Sequence, residues 1–256
     1  MLIDSHAHLN DERFDDDREQ IINNLNKNGI ELVLNPGYDL ESSKISVDMA
    51  KKYSMIYAAV GTHPHDSKDM NYDTLDIYKS LASEDKVIAI GEIGLDYHYD
   101  NSPRDVQKKW FREQIRLAKS LDMPYIVHDR EAHEDIFNIM KEELYSGARG
   151  ILHCYSGSVE MAREFIKLGF MISLGGPVTF KNAKVAKRVA LEIPLEYLLI
   201  ETDSPYMAPE PNRGKRNEPS YVKYVAEEIS RIKNIEYNHV VEKTNANFKN
   251  LFGILG

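Results

Sequence analysis

The sequence predicts a (β/α)8 barrel of the TIM type, a single domain covering residues 1–256, on three observations. Eight short, mostly unbroken apolar runs lie at 1–5, 31–35, 56–61, 87–91, 125–128, 150–153, 170–174 and 198–201, their starts 20 to 38 residues apart. Unbroken runs suit parallel strands covered on both faces. The segments between them carry helical spacing, and five of the runs end in His, Glu or Asp, where barrel enzymes place their chemistry. An open doubly wound sheet is the alternative. The Gly-rich phosphate fingerprint that often marks such a sheet is absent after the first run.

Taken in order, the run at 1–5 leads into His6 and His8. Positions i and i+2 of extended chain point the same way, so both imidazoles can meet one metal ion. Residues 17–28 read as a helix with Ile21, Ile22 and Leu25 on one side and Gly29 as its stop. The clearest helix is 103–121, with Ser102 as cap and Pro103 in the first turn. Its stripe is Val106, Trp110, Leu117 and Leu121, with Phe111, Ile115 and Ala118 alongside. Residues 158–168 form a helix between a capping Ser158 and a terminating Gly169. Helices around 220–231 and 239–252 close the chain.

Composition narrows the function. A hydrophobic fraction of 42% is enough for a substantial core, and no apolar run approaches the ~20 residues of a membrane span. Asp4 and His6 stand where a secretory signal would need a basic start and an apolar stretch. The one cysteine, Cys154, excludes an intramolecular disulfide framework. A soluble, cytoplasmic protein is therefore expected, with no membrane association and no obligate protein partner. The net charge of −9 argues against a broad basic face for nucleic acid. It leaves room for an enzyme that meets a few phosphates through metal ions and a local basic loop.

The run ends supply His6 and His8, then Glu92, His128, His153 and Asp203. Four imidazoles and two carboxylates exceed the three protein ligands usual for one catalytic zinc. They suit two divalent ions. Glu92, from the middle of the ligand order, is expected to bridge them. His6, His8 and Asp203 would complete one site, because the first and eighth strands become neighbours in a closed barrel. His128 and His153 would complete the other. His63, at the third run's end in Gly-Thr-His-Pro-His, is a candidate for touching substrate phosphate or fixing its loop. His65, His98 and His133 are expected to be structural. Cys154, next along from a ligand, is expected to face away into the core.

The loop Pro211-Asn-Arg-Gly-Lys-Arg-Asn-Glu-Pro219 follows the eighth run, where barrels often place anion contacts. Its Arg213, Lys215 and Arg216 are candidate substrate contacts, and Arg130, two residues past His128, is another.

Several stretches together resemble the TatD family of metal-dependent deoxyribonucleases, within the amidohydrolase superfamily. They are Ile-Asp-Ser-His-Ala-His-Leu, Gly-Thr-His-Pro-His, Gly-Glu-Ile-Gly-Leu-Asp-Tyr, His-Asp-Arg, His-Cys-Tyr-Ser-Gly, Glu-Thr-Asp-Ser-Pro-Tyr, Gly-Lys-Arg-Asn-Glu-Pro and the late Thr-Asn-Ala-Asn-Phe. The resemblance runs nearly the full length. It implies a (β/α) barrel with a two-metal site on His6, His8, Glu92, His128, His153 and Asp203, and exonuclease action from a 3′ end. One departure is Gly-Gly-Pro-Val-Thr-Phe-Lys after the seventh run, where the family usually has a Ser-Gly opening and no proline; it bears on substrate contacts carried by that loop. Relatives that bridge their metals with a carboxylated lysine are disfavoured, because the fourth run ends in Glu92.

The expected function is hydrolysis of phosphodiester bonds in DNA, single-stranded or at a 3′ end, with two divalent ions (Zn²⁺, Mn²⁺ or Mg²⁺) and with Asp203 relaying a proton. The alternative is an amidohydrolase-type enzyme acting on a small ester, lactone or amide. A non-catalytic barrel is disfavoured because no expected ligand is missing.

Overall fold

The computed structural model describes residues 1–254. Strands and helices alternate from the N-terminus: β1 (Leu2–Asp4), α1 (Arg18–Asn24), β2 (Ile30–Pro36), α2 (Leu40–Lys52), β3 (Ile56–Val60), α3 (Tyr72–Leu81), β4 (Val87–Asp96) and α4 (Arg104–Ser120). They continue with β5 (Tyr125–Arg130), α5 (His133–Glu142), β6 (Gly150–Leu152), α6 (Val159–Lys167), β7 (Phe170–Leu174), α7 (Lys184–Glu192), β8 (Leu198–Ile200), α8 (Val222–Lys233) and α9 (Tyr237–Phe252). The strands pair in chain order, all parallel. Backbone bonds across the seam bring β8 to β1: Ser5 N–H donates to Ile200 O at 3.1 Å, Asp203 N–H to His6 O at 2.9 Å, and His8 N–H to Ser204 O at 2.7 Å. This is the expected (β/α)8 barrel, nearly closed.

Strand alternation builds the interior in layers. Ile3, Leu34, Ala59, Ala89, Ile126, Ile151 and Leu199 form one buried cluster, and Phe248 and Leu251 of α9 join it. Asn245 of α9 receives Ile3 N–H and donates to Met1 O, so α9 covers the end where the strands begin. Two residues further along, the same inward phase delivers Ser5, His128, His153, Ser173 and Glu201. Apolar floor thus passes into polar mouth within one pleat. The larger core lies outside the strands, under the helices.

The helical expectations shift in instructive ways. The helix expected at 17–28 divides into α1 and a 3₁₀ turn at Asn26–Asn28, which ends at Gly29 with φ of 83°. α4 starts one residue later than expected, with Pro103 at the cap position. Ser102 instead donates its hydroxyl to His65 O and accepts Lys68 N–H. Two glutamines on the buried side of α4 hold the strand ends above them. Gln107 bonds both backbone groups of Asp96, and Gln114 both of Thr62. Ser158 caps α6 as expected, accepting Met161 N–H. α2, α3, α5 and α7 fill the remaining crossovers. No helix among the described residues is long and apolar enough to cross a membrane.

Candidate metal centre

The expected ligands meet at the mouth of the barrel, and Glu92 stands in their middle. The register of β4 against β5 slips between Ile90 and Ile93. There Glu92 N–H turns to donate to Gly37 O at 2.9 Å, and its carboxylate is buried on the barrel axis. Gly94 allows β5 to lie close: a Cβ there would sit 2.0 Å from His128 O, and its φ of 147° is one that L-residues rarely adopt.

The two oxygens of Glu92 face different histidine pairs. Oε2 lies 3.4 Å from both His6 Nε2 and His8 Nε2. Oε1 lies 2.9 Å from His128 Nδ1 and 2.7 Å from His153 Nε2. His6 Nε2 and His8 Nε2 are 3.1 Å apart, with Asp203 Oδ1 at 3.8 and 3.6 Å from them. His128 Nδ1 and His153 Nε2 are 3.2 Å apart. Cation–ligand bonds of about 2.1 Å at tetrahedral angles set donor atoms about 3.4 Å apart. The spacing of the His6–His8–Asp203 group, with Glu92 Oε2 3.4 Å from both rings, therefore fits a cation, and the all-N/O donor set suits zinc or another first-row ion. The second pair, with the other oxygen of Glu92, offers a similar though tighter nest.

Burial and charge set the protonation states. Burial alone would raise Glu92, but the charges of His153 and His63 and bonds from His128 and His153 hold it well below the usual carboxylate range. Burial opposes charge on His153, yet Glu92 and Glu201 push it well above the usual imidazole value. Burial and the neighbouring His153 lower His6. His63 is held well below its usual value by burial and by His128. Burial raises Asp203 against the pull of three histidines.

A family model described as TatD related DNase matches residues 3–253. The chain belongs to the TatD family. It is 50% identical over 254 residues to a Bacillus subtilis protein named "Uncharacterized metal-dependent hydrolase YabD", covering 99% of this chain and all of that one. It is 32% identical over 258 residues to the "3'-5' ssDNA/RNA exonuclease TatD" of Citrobacter koseri, covering 99% of each chain. Among solved structures, the TatD homologue YjjV of Escherichia coli superposes with a TM-score of 0.93 at 28% identity, over 99% of this chain and 98% of the other.

In this TatD-family protein, residues that the sequence reading passed over contact the expected ligands. Asp96 Oδ2 receives His128 Nε2 at 3.0 Å and lies 3.1 Å from His65 Nε2. Asp96 follows Glu92 by four positions on one strand, and that even spacing was the available signal. His65, expected to be structural, belongs to the site: it lines the cavity and forms with His63 and Asp96 a further group of converging donors. Glu201 stands 3.5 Å from His153 Nδ1 and accepts Cys154 N–H at 2.6 Å. Asp4, fully buried, accepts His6 N–H and both donors of Thr202, which fixes the chain entering the first histidine pair. His63 Nδ1 accepts His65 N–H, and its Nε2 stands 3.6 Å from Glu92. His98 and His133 pair with Glu131 and Asp129 away from the cavity. Cys154 is not the core residue expected: its φ of 43° breaks the extended chain just after His153, and the half-buried residue lines a side cleft.

The cavity above the ligands holds about 480 Å³, walled by Tyr38, Tyr99, Tyr206, Met207 and Arg130. Arg130 stacks over Tyr99, 4.7 Å from the ring centroid. The basic loop lies outside this lining. Arg216 pairs with Asp17 and donates to Arg13 O. Arg213 stacks on Phe180, and Lys215 is exposed at the loop's tip. Asn217 anchors that loop by donating to Thr202 O and Tyr206 O.

Proposed function

We propose that this TatD-family hydrolase binds two divalent cations on His6, His8, Glu92, His128, His153 and Asp203 and cleaves phosphodiester bonds in DNA, acting on a single-stranded 3′ end. The observation that carries the reading is the division of Glu92: one oxygen serves His6 and His8, the other His128 and His153. When bound, such a pair of ions polarises phosphoryl oxygens and makes a hydroxide available near neutral pH. Asp203, its carboxyl raised by burial, accepts the proton from the attacking group. Arg130 and the ring of His63 meet the phosphoryl oxygens inside the cavity. Arg213 and Lys215 attract the outlying polyanion, while Arg216 ties their loop down. The named activity of the Citrobacter koseri relative supports the choice of substrate and polarity.

A small ester, lactone or amide is the second reading. The observation favouring it is that Arg130 is the only Lys or Arg lining the cavity among the described residues. The test is a screen of chelated and metal-reloaded protein on labelled single-stranded DNA, RNA and model esters. Stepwise release of nucleotides from the 3′ end supports the first reading. Ester turnover with intact DNA overturns it.

A further inference from the structure

Beside the metal cavity lies a second hollow, of about 330 Å³, between the loop after β7 and the first turn of α7. Its walls are Leu174, Pro177, Val178, Val185, Ala186 and Met207, and no carboxylate lines it. Its volume falls within the range of small-ligand sites. Met207 is common to both hollows, and Cys154 at its edge directly follows His153. Val185 is 50% exposed and Met207 46% exposed, so sizeable apolar surface faces solvent next to a highly polar mouth. The wall is tightly built: a Cβ on Gly176 would sit 1.9 Å from Met207 O, so the loop and the Met207 segment hold each other in place. Asn182 and Lys184, at the start of α7, stand at the hollow's rim.

We infer that this cleft is the subsite for the base of a nucleotide flanking the scissile phosphodiester, an inference that rests on the phosphodiesterase reading above. A base is flat, uncharged and apolar on its faces, with acceptor atoms at its edge. The cleft offers apolar walls, no carboxylate among the described residues, and at one side the amide of Asn182 and the cation of Lys184. Met207 lines both hollows, so a phosphate in the metal cavity and a base in the cleft would be neighbours across that side chain. Stacking against side chains is tolerant of base identity, so the site selects for the presence of a base and not for its sequence.

The experiment uses metal-loaded protein and 3′-labelled single-stranded DNA carrying an abasic residue at the terminal or the penultimate position, against intact DNA. Wild-type protein is expected to prefer the intact strand about tenfold or more in kcat/KM at one of the two positions, mostly through KM. Val185→Asp, at an exposed position, is expected to bring that ratio close to one. A 2-aminopurine base at the same position is expected to change fluorescence on binding wild type but not Val185→Asp, with circular dichroism confirming the variant's fold. Equal cleavage of abasic and intact strands, or a ratio and fluorescence change that persist in folded Val185→Asp, overturns the subsite alone. No cleavage of any nucleic acid overturns the phosphodiesterase reading and the subsite with it.

Discussion

Glu92 and His153 meet at 2.7 Å through one carboxylate oxygen, while the other oxygen of Glu92 faces His6 and His8 at 3.4 Å each. One side chain thus joins the two halves of the histidine cluster. Glu92→Ala removes a donor from both proposed cation sites at once and takes away a carboxylate that faces all four imidazoles. Bound metal should fall from two ions to fewer than one per chain, by elemental analysis. Turnover should drop by more than about a hundredfold, since even loss of an outer partner to a metal ligand costs 10–100-fold. Wild-type rate in this variant sinks the two-metal account.

Metal removal should be visible in stability, because ligands that bind only the folded state stabilise it by mass action. At a hundred times the dissociation constant the gain is about 2.7 kcal/mol. For a domain of this size that is a shift in Tm of roughly 5–10 °C. Chelated wild type should melt lower by that amount and recover on adding Zn²⁺ or Mn²⁺. Glu92→Ala should show little difference between the two states. Differential scanning calorimetry of all four samples checks it, and a wild-type Tm indifferent to chelation counts against the site.

The barrel was legible because parallel strands buried on both faces read as unbroken apolar runs, and a ligand at the end of such a run is placed by the run itself. The expected ligands His128, His153 and Asp203 were located this way. What escaped notice depends on contacts between distant segments. Glu201 is recognised only once β8 is beside His153, and Asn217 only once its loop folds onto Tyr206. The basic loop divides its cations for a related reason. Three cations in a row signal an anion site, but Arg216 spends its charge on Asp17, 199 positions away in the chain. Cys154 was misplaced because alternation was extended two residues past the end of β6, to a position whose φ of 43° is no longer extended chain.

Asp96 positions His128, and that role makes a separate prediction. Its carboxylate stays ionised: burial would raise it, but bonds from His128, His65 and Tyr99 N–H hold it far below the usual range. Asp96→Asn keeps the shape but weakens acceptance of two imidazoles on one oxygen. A 10–100-fold loss in metal affinity and turnover is expected, the usual cost of removing such a partner. A merely structural role would lower Tm without altering affinity. Titration calorimetry with Zn²⁺ on folded protein separates the two outcomes.

Asp11 should show its effect in acid. Burial pushes its carboxyl up, but the paired bonds and charge of Arg13, with the Tyr206 hydroxyl, outweigh this and bring it down to about 2 from 3.8. A depressed carboxylate stabilises the fold fully above its unfolded value and loses that contribution as pH falls towards its folded value. The window is therefore between about 3.8 and 2. Arg13 is 44% exposed, so solvent screens the pair and about 1 kcal/mol is a fair figure at pH 7. Asp11→Asn should lose that much in urea unfolding at pH 6, and about half of the difference should be gone near pH 3. Since Tyr206 walls the metal cavity and is held by the same carboxylate, the variant should also raise KM several-fold with kcat little changed. A constant stability difference from pH 6 to 3 shows that Asp11 acts through packing and not through its charge.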